Sequence, residues 1–173
     1  MIGDRWGVTD EEVARGYPCD DVIPAPVLQA WRGVTVHATR SQLWPWVAQI
    51  RLAPYSYDWI DNLGRRSPQE LRDLSEPVPG QHFTTAGGRP MGRLLSVDPG
   101  VQLTGQIMGA VMSYVLVPMG RSTGASTRLL LKVTGVHTRW VAPLLSIGDL
   151  VMARRQLLNL KRLAEQQSAK SEP

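Results

Sequence analysis

Residues Thr39 to Gly64 read TRSQLWPWVAQIRLAPYSYDWIDNLG and hold Trp44, Trp46, Trp59, Tyr55 and Tyr57, much of the large aromatic surface of the chain. Thr39 and Gln42 have the T-x-x-Q spacing in which each side chain satisfies a free backbone N–H at a helix start. Leu43, Trp46, Val47 and Ile50 recur at helical spacing and form one apolar stripe. Pro45 removes a backbone donor and crowds the preceding turn, so a kink near Ser41 to Pro45 is expected, with Pro54 ending the helix. A second short helix is expected from about Ser56 to Leu63, with Asp58 in its first turn and Gly64 as a left-handed stop. So many rings in one stretch imply that something hydrophobic is lined or covered.

The final helix is expected from about Pro143 to Gln166, entered through capping-box spacing between Ser146 and Asp149. Leu150, Ala153, Leu157, Leu160 and Ala164 form its apolar stripe, with Arg154, Arg155, Lys161 and Arg162 largely off it. WPWVAQI, then YSYDWIDNLG, then VMARRQLLNLKRLAE at the C-terminal end resemble the SRPBCC superfamily, from Arg5-Trp6-Gly7 to Ala164. That group includes START-related proteins, birch-pollen-allergen-like proteins and polyketide cyclase/dehydrase-like proteins, and the resemblance is to a bacterial branch of it. The resemblance implies an α+β helix-grip fold: a curved antiparallel sheet of about six to seven strands around one long C-terminal helix, two short helices after the first strand, and a pocket between helix and sheet. The superfamily spans lipid carriers, receptors, cyclases and oxygenase domains, so the fold does not choose among activities.

The rest of the chain is consistent with one domain. A length of 173 residues, 43% of them hydrophobic and 20% charged, can bury a sizeable core. Residues 1–30 are expected to be an arm, with a short helix from about Thr9 to Ala14 and then extended chain broken by Gly16, Pro18, Pro24 and Pro26. The resemblance implies that this arm lies against the outside of the sheet. Residues 31–167 would form the helix-grip domain and 168–173 a disordered tail. Trp31 to Ala38 alternates as a first strand, and Arg65 to Pro79 reads as a loop with one helical turn at most, near Pro68 to Leu74. Strands follow at Gln81–Thr85, Met91–Asp98, Val101–Met108, Ser113–Pro118 and Thr127–His137. In the last of these Arg128, Lys132 and Thr134 are expected to face water, leaving Thr127, Leu129, Leu131, Val133 and His137 inside.

Composition excludes several function classes. The net charge of +4 comes from scattered arginines rather than a basic stripe, which argues against a nucleic-acid reader. Cys19 has no second cysteine to pair with, as in a reducing cytoplasm, and no nearby base to activate it. No apolar run approaches the roughly 20 residues needed to span a bilayer, and no leader pattern is evident, so a cytoplasmic location is expected. The basic final helix could instead rest on an anionic surface, a weak peripheral membrane contact, but a gripped helix must bury its stripe. His37, His82 and His137 lie far apart, without metal-ligand spacing, and the glycine runs lack the ending of a phosphate loop. Neither a metal nor a cofactor is expected.

What remains is a candidate apolar pocket. Trp44, Trp46, Tyr55, Tyr57 and Trp59 from the lid, Met108, Met112 and Tyr114 from the sheet, and Leu150, Met152 and Leu157 from the final helix could surround it. Tyr57, Tyr114, His82 and His137 are its candidate polar fittings. The plainer alternative is that the rings fill a solid core. With a pocket, two functions stay open: carriage of a hydrophobic small molecule such as a lipid, polyketide or aromatic metabolite, and cyclase or dehydratase chemistry in which Tyr57, His82 or His137 moves a proton beside a carbonyl. A partner-binding, toxin-like domain is a third reading, marked by an exposed apolar patch.

Overall fold

In the computed structural model, which describes residues 4–60, 62–120, 126–135 and 142–171, both faces of the longest strands are covered. The main sheet has six strands: β1 (Arg5–Trp6), β2 (Leu28–Val36), β5 (Arg93–Asp98), β6 (Gln102–Ile107), β7 (Ala110–Met119) and β8 (Ser126–Gly135). They lie in the order β1-β2-β8-β7-β6-β5. A separate hairpin is formed by β3 (Thr84–Ala86) and β4 (Arg89–Met91). Every neighbouring pair in the main sheet is antiparallel except β1 with β2, so the sheet is mixed. The expected antiparallel sheet is corrected only at that two-residue edge, where Trp31 N donates to Asp4 O at 2.7 Å.

Period-2 alternation decides which side chains face the final helix. Leu129, Leu131 and Val133 of β8, with Tyr114 and Leu116 of β7, join the principal core with Ala153, Leu157, Leu160 and Ala164. Those last four belong to α4 (Ala142–Ser171), which contacts β2 and the lid helix α3 (Arg40–Ala48). The helix begins at Ala142, so Ser146 and Asp149 lie within it rather than at its cap, and it continues to Ser171 rather than ending near Gln166. Thr39 caps α3 as its spacing requires, its Oγ1 accepting from Gln42 N at 3.2 Å while Gln42 Oε1 accepts from Thr39 N at 2.9 Å. The helix continues through Pro45 into a single 3-10 turn, Gln49–Arg51. These are the two short helices that follow the first long strand. Residues 56–60 and 62–63 make turns and bends instead of the expected helix, bounded by Tyr55 and Leu63 with φ of 56° and 50°, values that helical backbone does not adopt.

The outer face is not wet. Leu130, Val111 and Val115 pack under Tyr17 and Cys19, on and beside α2 (Pro18–Val22), a helix that the sequence reading takes for extended chain. α1 (Asp10–Ala14) precedes it, capped by Thr9 as expected. Arg128 and Lys132 point to this side but are covered, a correction to the expectation that they face water. Arg128 Nε donates to Glu12 Oε1 at 2.6 Å, and Lys132 pairs with Asp20 while its Nζ lies 5.5 Å and 5.0 Å from the ring centroids of Tyr17 and Trp31. Thr134, also expected outside, is fully buried. The loop 65–79 carries no helical turn; buried polar side chains hold it instead. Gln49 donates to Glu70 O (3.0 Å) and accepts from Arg72 N (2.7 Å), and Arg51 donates to Ser75 O (2.6 Å).

Candidate functional site

An apolar cavity of about 410 Å³ lies between α4, the inner face of β6 and β7, the β3–β4 hairpin and the segment that carries Pro54, Ser56, Ile60 and Leu63. Its position follows from the inward alternation. Ile107 of β6 and Met112 and Tyr114 of β7 face it from the sheet, and Met152, Ala153 and Gln156 from one side of α4. Met91 and Met108 bring its methionines to four, and unbranched thioethers adapt to ligands of more than one shape. Phe83 forms part of the wall because two glycines make room for it: a Cβ on Gly105 would lie 2.2 Å from Phe83 Cδ2, and one on Gly92 would lie 3.2 Å from Phe83 Cβ. Its ring stands 6.3 Å from that of Tyr114. Ile60, Leu63 and Met108, 48%, 76% and 78% exposed, mark where the cavity meets solvent. Leu63 and Met108 hold positive φ there, a conformation that non-glycine residues keep only when their surroundings impose it.

Four polar side chains of the wall are tied to the protein. Tyr114 Oη donates to Gln156 Oε1 at 2.6 Å, and Gln156 Nε2 donates to Pro54 O at 2.6 Å. Thr84 Oγ1 donates to Ile50 O at 2.9 Å and Thr85 Oγ1 to Leu52 O at 2.7 Å. These bonds hang the hairpin and the 3-10 turn on one frame. They leave a wall that presents mainly carbon and sulfur.

The candidates from the sequence that are described divide among four places. Met108, Met112, Tyr114 and Met152 line the cavity. Trp44, Trp46, Tyr55 and Leu157 are buried in the principal core, off the cavity wall. There Trp44 Nε1 donates to Glu76 Oε2 (3.0 Å) and Trp46 Nε1 to Gln167 Oε1 (2.8 Å). Tyr55 Oη accepts from Gln49 Nε2 at 2.6 Å, and burial pushes its phenol up to about 12, so it stays protonated. Tyr57 and Trp59 line a neighbouring cleft of about 560 Å³ with Arg66, Arg155 and Arg162. His82 is exposed in a separate depression beside Arg51 and Leu74. His137 and the side chain of Leu150 lie outside the described residues.

Ile50, Phe83, Thr84, Thr85, Met91 and Gln156 are wall residues that sequence reasoning misses. Gly92 and Gly105 are the signal that could have found Phe83, because glycine inside a strand marks close approach of another group. Among the described residues no group of three metal-ligating side chains occurs, and no helix is long and apolar enough to cross a membrane.

No family model matches the chain, and no curated protein does. Solved structures do. The Polyketide_cyc-like protein Cgl2372 from Corynebacterium glutamicum superposes with a TM-score of 0.51 at 12% identity, over 83% of this chain and 95% of that one. Protein NE0264 from Nitrosomonas europaea gives 0.51 at 16% identity, over 82% and 97%. Protein MLL2253 from Mesorhizobium loti gives 0.50 at 14%, over 84% and 100%. At such identities the likeness speaks for architecture and not activity. The grip of α4 by the sheet, the lid after the first long strand and these superpositions together give the chain a helix-grip fold like that of the Polyketide_cyc-like protein.

Proposed function

We propose that this protein binds and carries a hydrophobic small molecule, a lipid, polyketide or aromatic metabolite, in the cavity between the sheet and α4. The observation that carries this reading is the wall itself: four methionines with Phe83, Ile50 and Ile107 around about 410 Å³, inside the range of roughly 300–1,000 Å³ usual for small-molecule sites. Tyr114, Gln156, Thr84 and Thr85 are neutral and hydrogen-bonded to the protein, which suits holding an apolar body better than moving a proton. Desolvating such a ligand is the driving force, about 25 cal/mol for each Å² of apolar surface removed from water.

A thermal-shift and native mass-spectrometry screen with lipophilic compounds tests it. A ligand at a hundred times its Kd stabilises the fold by about 2.7 kcal/mol, which raises Tm by several degrees in a chain of this size. Met112→Trp, which would fill the cavity, should abolish the shift while leaving the circular dichroism unchanged. A screen in which no lipophilic compound binds, or in which the filled variant binds as well as the parent, defeats the proposal.

A further inference from the structure

The cleft beside the cavity carries three arginines that have no acidic partner among the described residues. Arg155, Asn159 and Arg162 are spaced i, i+4, i+7 along α4 and so share one stripe. Arg66 faces them from the loop after the lid. Among the described residues none of these three guanidinium groups forms an ion pair, whereas Arg5, Arg128, Lys132 and Lys161 all do. Their contacts are with neutral groups. Arg162 donates to Gln69 Oε1 (2.8 Å) and Gln166 Oε1 (3.4 Å), and the Arg155 guanidinium lies 5.8 Å from the centroid of the Tyr57 ring, a cation–π contact. Among the described residues of the cleft the one carboxylate, Asp58, is engaged by the loop: Ser67 N donates to Oδ2 at 2.9 Å and Ser67 Oγ to Oδ1 at 2.5 Å.

The cleft and the cavity are neighbours. Ser56 lines both, and Asn159 Nδ2, on the arginine stripe, donates to Tyr55 O (2.8 Å) next to it. An apolar space thus adjoins a cationic one across a single residue. We infer that the cleft lined by Arg66, Arg155 and Arg162 is a head-group subsite, and that the preferred ligand is an amphipathic anion whose carboxylate or phosphate rests on these arginines while its apolar body enters the cavity. The inference rests on the carriage reading and narrows its ligand class. Guanidinium groups match both oxyanions through paired N–H donors, so carboxylate and phosphate share one recognition chemistry.

The test uses the intact chain and isothermal titration calorimetry with dodecanoate, dodecyl phosphate and dodecanol, each below its micelle concentration. At least one of the two anions should bind about tenfold or more tighter than the alcohol, the effect of one charge-assisted contact at a solvated site. The double variant Arg66→Gln/Arg155→Gln should bring that anion down to the affinity of the alcohol and leave the alcohol unchanged, and added salt should shrink the preference in the parent. Whichever anion is preferred identifies the head group. Equal binding of all three by the parent overturns the head-group assignment and leaves carriage standing, as does an Arg variant that weakens alcohol and anion alike. If none of the three binds, carriage and the head-group assignment fail together.

Discussion

Replacing Gly105 by alanine would set a Cβ 2.2 Å from Phe83 Cδ2, 2.5 Å from Cγ and 2.8 Å from Cε2, where carbon atoms prefer about 3.5–4.0 Å. Gly105 sits in β6 opposite Met112 of β7 and Leu94 of β5, so the strand cannot retreat without breaking two ladders. Phe83 is 2% exposed, and the ring must give way instead. Overpacking of this kind costs about 1–3 kcal/mol. Against it stands the gain of about 0.5–1 kcal/mol when a glycine without positive φ becomes alanine. The net expectation is a loss of about 1–2 kcal/mol, read as a lower urea midpoint at unchanged m-value, or as a Tm lower by about 2–4 °C for each kcal/mol. Phe83→Leu, whose smaller side chain leaves room for the methyl group, should remove most of the cost of Gly105→Ala in the double variant. If Gly105→Ala is as stable as the parent, or costs the same in the Phe83→Leu background, the ring is not what the glycine accommodates.

Tyr114→Phe removes the donor to buried Gln156 Oε1 and should destabilise by about 1–2 kcal/mol, measured by urea titration; an unchanged midpoint would mean that the bond contributes nothing. The hydrogen bond from Arg128 holds the Glu12 carboxyl below its ordinary value of 4.5, against the upward pull of burial. A depressed carboxyl stabilises the fold fully above that ordinary value and loses its contribution as pH falls through the lowered one. Stability should therefore drop on acidification below 4.5 by more in the parent than in Glu12→Gln; parallel profiles would refute this. Burial raises the Cys19 thiol above 9.0, and the side chain is fully enclosed. A maleimide should leave it unlabelled in the native protein and label it completely in urea, so fast native labelling would contradict the docking of α2.

The helix grip was legible because it rests on local periodicity. Leu129, Leu131 and Val133 alternate within one strand, and Ala153, Leu157, Leu160 and Ala164 recur at helical spacing, so each set names its own buried face. Lys132 was not legible. Its burial comes from docking against Asp20 and Tyr17, which lie more than a hundred residues away, and a polar residue on an alternating strand looks solvent-facing until that cover is known. At 56–60 and 62–63 turns replace the expected helix, and the positive φ at Tyr55 and Leu63 that bounds them is backbone geometry which composition does not reveal. For the site, alternation puts Tyr114 on one face with Leu116, whereas Met112 lies outside the expected strand Ser113–Pro118 and Met152 off the apolar stripe, so periodicity placed neither methionine. Trp44 and Trp46 could not be assigned to core or cavity, since their indole partners Glu76 and Gln167 come from distant segments.

The arm on the back of the sheet bears on the cavity at its front. In β7 the odd positions Val111, Ser113 and Val115 face the arm, while Met112, Tyr114 and Leu116 face inward. Cys19 N donates to Ser113 Oγ at 2.9 Å, and Ser113 Oγ shares a 2.8 Å bond with Thr104 Oγ1 of β6. That buried polar chain runs from α2 across two strands. A slip of one residue in β7 would turn Ser113 into the apolar cavity and Met112 under the arm, exchanging every side chain between the faces. Each such exchange would leave a polar group without its partner on one side and remove a methionine from the ligand wall on the other. The pairing that seats α2 on the sheet is thus also what keeps Met112 and Tyr114 aimed at the cavity, and the back of the sheet specifies the register on which the front depends.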